Sequence, residues 1–201
     1  MLKKIKLKSA MSARGFTLVE MMVSVAIFAI VMTIALGSLL AMSESDRKAQ
    51  TLKSVINNLN FSLDSMSRSM RTGTLYHCDA AQTPLTSTRD CTSSPASSIA
   101  YRSSSGATVV YRLESASAAL CGQPAGRIGC IVRSADGGAT YSAITSPEVY
   151  LEALNFYVTG AQSAAVQPKV TILISGEVTV NATQSSSFNL QTSITQRLYD
   201  Q

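Results

Sequence analysis

Two hydrophobic patterns meet within the first third of the chain. Residues 16–42 are 27 consecutive positions with a single charge, Glu20, which exceeds the roughly 20 apolar residues of a bilayer span. Residues 43–71 turn polar yet keep an apolar repeat. Leu52, Ile56, Leu59, Leu63, Met66 and Met70 follow one another at alternating steps of four and three, which places them on one stripe of a helix. The two patterns join into one predicted helix, apolar over 16–42 and amphipathic over 43–72, with Gly73 as its stop.

Residues 73–98 are rich in Ser, Thr, Ala and Pro and read as a low-complexity connector that holds His77, Cys78 and Cys91. A loop of this length is functional or tethered, and the cysteines offer the tether. Beyond it the period becomes two. Ala107, Val109, Tyr111 and Leu113 alternate with Thr108, Val110, Arg112 and Glu114, after a hairpin turn over residues 103–106. A second turn at Asp136 and Gly137 separates residues 130–133 from 139–144. The later runs are 149–158, then Val170, Ile172, Ile174, Val178 and Val180, then Phe188, Leu190, Ile194 and Leu198. Together residues 99–201 describe an antiparallel sheet with one buried face. The stripe of residues 52–70 is its natural cover, giving an α+β fold in which a long N-terminal helix packs on a C-terminal antiparallel β-sheet.

Charge changes the reading of the amino end. Residues 1–15 carry Lys3, Lys4, Lys6, Lys8 and Arg14 and no acid. Such a cluster holds that end of a span in the cytoplasm and sends the residues beyond Met42 outward. The whole chain has 17 basic and 12 acidic residues, and removing these five leaves 12 against 12. The excess is a targeting device, so no nucleic-acid partner is indicated. In an ordinary signal peptide the apolar core precedes the cleavage site and is discarded with it. Here the small residue that could mark a cut, Gly15, comes before the core.

Gly15, Phe16, Thr17, Leu18, Val19 and Glu20, set directly after the basic stretch, resemble the leader of type IV prepilins and type II secretion pseudopilins. The resemblance is specific over about residues 1–45 and only architectural beyond them. It implies a pilin-like fold, removal of residues 1–15 by a prepilin peptidase, and N-methylation at Phe16. It also implies assembly through the helix, with other pilin or pseudopilin subunits, an inner-membrane assembly platform and membrane lipid as partners. The location implied is a single pass of the inner membrane with the C-terminal domain outside, then a pilus or pseudopilus. The cysteine loops and the polar connector lean the reading toward a minor subunit. The alternative is a single-pass anchored or secreted β domain with an ordinary signal, cut near Ala41.

Glu20 is the residue singled out for assembly. A carboxylate inside a membrane segment is costly, by roughly 2.5 to 3.5 kcal/mol at the helix centre and less near the interface, and reads as functional. Once Phe16 bears a free amine, Glu20 has two possible partners: the amine of an adjacent subunit within a low-dielectric core, or the amine of its own helix at the i, i+4 spacing.

The remaining chemistry is sparse. Cys78, Cys91, Cys121 and Cys130 all fall on the outward side, where disulfides form, and four cysteines allow three connectivities. Sequential pairing, Cys78 with Cys91 and Cys121 with Cys130, is favoured because each closes a short loop and Pro124 and Gly126 turn the chain within the second. A four-thiolate zinc site lacks its usual closely spaced pairs. His77 is the only histidine, so it has no partner of its kind for a metal or catalytic site and reads as a loop histidine. With no phosphate loop, nucleophile motif or ligand cluster, no enzyme and no cofactor are expected. The Asn181, Ala182, Thr183 triplet matches a glycosylation acceptor.

Overall fold

The computed structural model of the chain describes residues 15–79, 85–163, 165–181 and 184–197. Its first element, α1 (Leu18–Arg71), is a helix of 54 residues. No proline and a single glycine, Gly37, fall within it, so the hydrogen-bond ladder loses no donor and only one position has glycine's entropic cost. Arg68 and Arg71 occupy the last turn, where positive charge suits the end of the helix dipole. The chain leaves the helix at Gly73, whose N–H donates to the Met70 carbonyl at 3.0 Å. The chain divides into two units between Arg47 and Lys48, and α1 crosses that division.

Within the second unit, α1 buries Val55, Leu59, Ser62, Met66 and Met70, with Leu52 and Leu63 packed at the margin. Ile56, expected on the stripe, is 40% exposed. Helix geometry explains the correction. At about 100° per residue, Val55 lies about 40° to one side of Leu59 and Ile56 about 60° to the other, and the buried arc is centred on the Val55 side. Ser62, a polar residue on that side, is tolerated because its hydroxyl lies 2.5 Å from the Ile144 carbonyl and 3.0 Å from that of Asn58.

Among the described residues, nine strands come after the helix. They are β1 (Thr74–Cys78), β2 (Cys91–Ala96), β3 (Ser98–Arg102), β4 (Thr108–Glu114), β5 (Cys130–Ser134), β6 (Ser142–Ala143), β7 (Val149–Thr159), β8 (Lys169–Asn181) and β9 (Gln184–Thr195), with a short helix α2 (Ala118–Cys121) before β5. They form two antiparallel sheets, ordered β1-β3-β4-β5-β6 and β2-β7-β8-β9, where the alternation had suggested one. The segment read as a connector supplies an edge strand to each: β1 pairs with β3, and β2 with β7. Where the two sheets adjoin, the Leu151 N–H donates to the Gly129 carbonyl at 3.0 Å. A side chain at Gly129 would put its Cβ within 2.0 Å of the Leu151 oxygen, so this position has room for glycine alone.

One core serves both sheets and the helix. Val55, Met66 and Met70 of α1 share a cluster with Tyr76, Tyr101, Tyr111 and Ile131 of the first sheet and with Leu154, Phe156, Ile172 and Ile174 of the second. Tyr76, Tyr101 and Tyr111 stack in series, with ring centroids 5.9 and 6.2 Å apart, and the Tyr101 hydroxyl meets Ser69 Oγ of the helix at 2.5 Å. β4 is buried on both faces: Val109 and Tyr111 point into this core, while Val110 packs with Ala100 and Leu85 on the other side. In β7 the register shifts between Leu151 and Ala153. That bulge lets Val149 and Leu151 on one side of it, and Leu154, Phe156 and Val158 on the other, all face the core.

His77 is not a loop residue. It lies within β1, is 3% exposed, and its Nδ1 donates to the Asp79 carbonyl at 2.9 Å. Leu198 lies outside the described residues, as do Ala182 and Thr183 of the glycosylation triplet and the charged residues of the leader.

Candidate functional site

The start of α1 carries the residues that the sequence marks for processing and assembly. Gly15, Phe16 and Thr17 precede the first helical residue, Leu18. Thr17 is the residue on which the helix begins: its Oγ1 accepts the Glu20 N–H at 3.3 Å and its carbonyl accepts the Met21 N–H at 3.2 Å. A hydroxyl in this place satisfies one of the amide donors that a helix start leaves open. Thr17 and Glu20 together have the spacing of a capping box, a signal that the sequence carries and that the reading from periodicity and charge missed. Glu20 lies in the first turn, where the helix dipole favours a negative charge. Besides any role between subunits, Glu20 therefore belongs to the start of its own helix.

Gly15 has nothing within 4 Å of where a Cβ would sit. The described residues place no steric demand for glycine there. Phe16 is 78% exposed.

From Leu18 onward the first unit of the helix is a bare apolar rod. Phe28 is 60% exposed, Ile34 68% and Leu40 72%. The helix contains a stretch long and apolar enough to cross a membrane, and none of that stretch is buried within the chain's own fold. Two of its hydroxyls are satisfied within the helix: Ser24 Oγ donates to the Met21 carbonyl at 3.0 Å, and Thr33 Oγ1 lies 2.8 Å from the carbonyl of Ile30. Such a surface presents lipid or other helices with little unpaired polarity other than Glu20.

The four cysteines lie in the second unit. Cys78 is joined to Cys91 and Cys121 to Cys130, with Cα atoms 5.9 and 5.7 Å apart. The first link ties the end of β1 in one sheet to the start of β2 in the other. The second closes a loop that α2 opens, with Ser117 Oγ accepting the Leu120 N–H and Gly122 in the left-handed conformation at φ 65°. Sequence reading missed the residue that holds this loop. Gln123, 7% exposed, donates from Nε2 to the Val149 carbonyl at 2.6 Å and the Gly129 carbonyl at 3.2 Å, and accepts the Gly129 N–H on Oε1 at 2.7 Å. A glutamine between two cysteines carries no periodic signal that would reveal this. Among the described residues no group of three His, Cys, Asp or Glu side chains could hold a metal ion.

Residues 10–36 match the family model of the prokaryotic N-terminal methylation motif, a segment that includes Gly15, Phe16 and Glu20. No curated protein and no solved structure matches the chain. The chain thus carries a prepilin-type leader, and its long amino-terminal helix followed by antiparallel sheets is a pilin-like architecture.

Proposed function

We propose, from the methylation motif over residues 10–36, that the protein is a non-enzymatic structural subunit of a type IV pilus or type II secretion pseudopilus. A prepilin peptidase cuts the bond between Gly15 and Phe16, and the new amine of Phe16 is methylated. The helix then holds the subunit in the inner membrane as a single pass, with the sheets outside, until the assembly platform moves it into a fibre of other pilin or pseudopilin subunits. The subunit is a minor one, in keeping with its two cysteine-closed loops and its polar segment before β3.

The observation that carries this reading is the position of the motif: a cut within it precedes the apolar helix and leaves that helix in the mature protein. The bare surface of the first unit supports the same conclusion, since a rod of exposed Phe, Ile, Leu and Val requires cover. Lipid provides it before assembly, and neighbouring helices provide it afterwards. In the precursor the Phe16 nitrogen is a peptide amide without charge. Cleavage creates the cation that Glu20 can pair with, so processing and assembly are chemically coupled.

Mass spectrometry of the protein purified from membranes tests this. The expected species begins at a methylated Phe16. A protein that retains residues 1–15, or one that begins beyond Ala41, would overturn the reading.

A further inference from the structure

We propose that the outer face of the β7–β8–β9 sheet is a binding site for a neutral polysaccharide chain. The bulge between Leu151 and Ala153 switches the parity of β7. As a result Tyr150 stands on the same side as Asn155 and Tyr157, opposite the side that faces the core. Across the sheet Asn155 pairs with Leu173, and Leu173 with Gln191. In the next row Ser175 pairs with Asn189, and in the row on the other side Tyr157 pairs with Thr171. Of these, Asn155, Leu173, Ser175, Asn189 and Gln191 line an open cleft of about 410 Å³, within the range of small-ligand sites, and Tyr150, Tyr157 and Thr171 lie beside it on the same face.

The chemistry of the lining selects the ligand class. Three planar amides surround a leucine, and each offers donors and an acceptor. None of the three makes a side-chain hydrogen bond among the described residues. Adjacent strands are about 4.8 Å apart and alternate residues about 6.7 Å apart, so Asn155 and Gln191 flank Leu173 about 10 Å from each other, with Asn189 nearer Gln191. That triangle suits a pyranose ring, whose C–H face can rest on Leu173 while its rim of hydroxyls meets the amides. Tyr157, one row along β7, offers an aromatic surface to a following sugar.

The lining contains no Lys, Arg, Asp or Glu. Glu177, the nearest acid on this face of β8, is already engaged by Arg127, which also lies over the Tyr150 ring. Within the cleft an anionic polymer or a phosphate therefore finds no counter-charge; the cation on this face of β8, Lys169, lies two rows from Leu173, beyond the cleft. An extended peptide would use the open edge of β9 through main-chain bonds and would not need the amides of the face.

The test uses the full-length protein in a detergent without a sugar headgroup, such as lauryldimethylamine oxide, applied to cellulose, chitin, cross-linked dextran and alginate beads. We expect retention on at least one neutral polysaccharide and release by its soluble oligosaccharide. The double variant N155A/Q191A should lose about tenfold in retention, the effect of two hydrogen bonds near 0.7 kcal/mol each. Gln191→Glu keeps the shape of the residue but adds a charge, and is expected to bind more weakly than the wild type. Ser105→Ala, in the turn between β3 and β4, should bind as the wild type does. Retention by alginate alone, retention by none of the four, or equal retention of N155A/Q191A and wild type would overturn the proposal.

Discussion

Gly73 lies directly against the ring of Tyr101: a Cβ at residue 73 would fall 2.5 Å from Tyr101 Cδ2 and 3.0 Å from Cε2. The ring cannot readily give way, because it is fully buried, stacked between Tyr76 and Tyr111, and tied to Ser69 of the helix. The glycine ends α1 and also lets the helix end settle on the tyrosine stack. Gly73→Ala should destabilise the fold by about 1–3 kcal/mol, the usual cost of overpacking a filled core. A urea unfolding midpoint equal to that of wild type would mean that the stack moves aside without cost.

Gln123 makes a similar demand through polar groups. Its side chain satisfies backbone groups of Gly129 and Val149 inside the loop closed by Cys121 and Cys130. Gln123→Leu fills similar volume but leaves the Gly129 N–H without this acceptor, and should cost about 1–3 kcal/mol. Hydrogen exchange adds a local readout. The Gly129 amide should exchange faster in the variant, while amides in the middle of β8 keep their protection at matched stability.

Acid sensitivity should trace in part to Glu114. Its side chain is 8% exposed; Oε1 accepts the Ala116 N–H at 2.9 Å and the Ser117 N–H at 3.1 Å, and Oε2 meets Arg112 at 2.8 Å. The Ala116 amide, more than the adjacent charge, holds this carboxyl below the ordinary value of 4.5. A folded value below the unfolded one means that the contribution is fully present above about 4.5 and is lost as pH falls through the folded value. Glu114→Gln should therefore flatten the fall in stability below about pH 4.5. Wild type and variant losing stability in parallel over that range would rule Glu114 out as a contributor.

Glu20 should be required for entry into fibres but not for folding of the second unit. Removing the carboxylate lifts a cost of membrane insertion, so Glu20→Ala should accumulate in membranes as a processed protein. In a fibre it would leave the Phe16 amine without its partner, and breaking a buried pair costs on the order of 3–5 kcal/mol. Sheared fibres should therefore contain little of it. Recovery at the wild-type ratio would assign Glu20 to its own helix or to the peptidase, a reading that its place beside Thr17 in the first turn keeps distinct.

Much of the molecule was legible because the signals are local. A basic stretch, a small residue and an unbroken apolar run succeed one another in the sequence, and the spacing from Gly15 to Glu20 needs no tertiary contact to be read. The length of α1, the turn over residues 103–106 and the alternating strands come equally from periods of 3.6 and two. The pattern went astray where a partner decides. Ile56 has the spacing of a stripe residue, yet Val55 is buried, because the sheets meet the helix at an angle that the helix's own sequence does not encode.

What the sequence by itself determined is the kind of most segments, the stretch over 73–98 excepted: leader, span, amphipathic helix, the later strands and turns, each set by its own backbone preferences and polarity. The tertiary structure decided the partners. Two sheets form where one was expected, because a period of two says that a residue is in a strand but not which strand lies beside it. Polar, proline-bearing β2 becomes an edge of the second sheet since β7 offers it a ladder, and His77 becomes a buried strand residue because β3 pairs with the segment that holds it. The parity switch in β7 is likewise invisible locally: only the ladder with β8 shows that one extra residue between Leu151 and Ala153 turns two tyrosines and an asparagine to the outside. Hydrogen bonds between distant strands and the closure of a shared core are properties of pairs, and a single chain read in order contains only half of each pair.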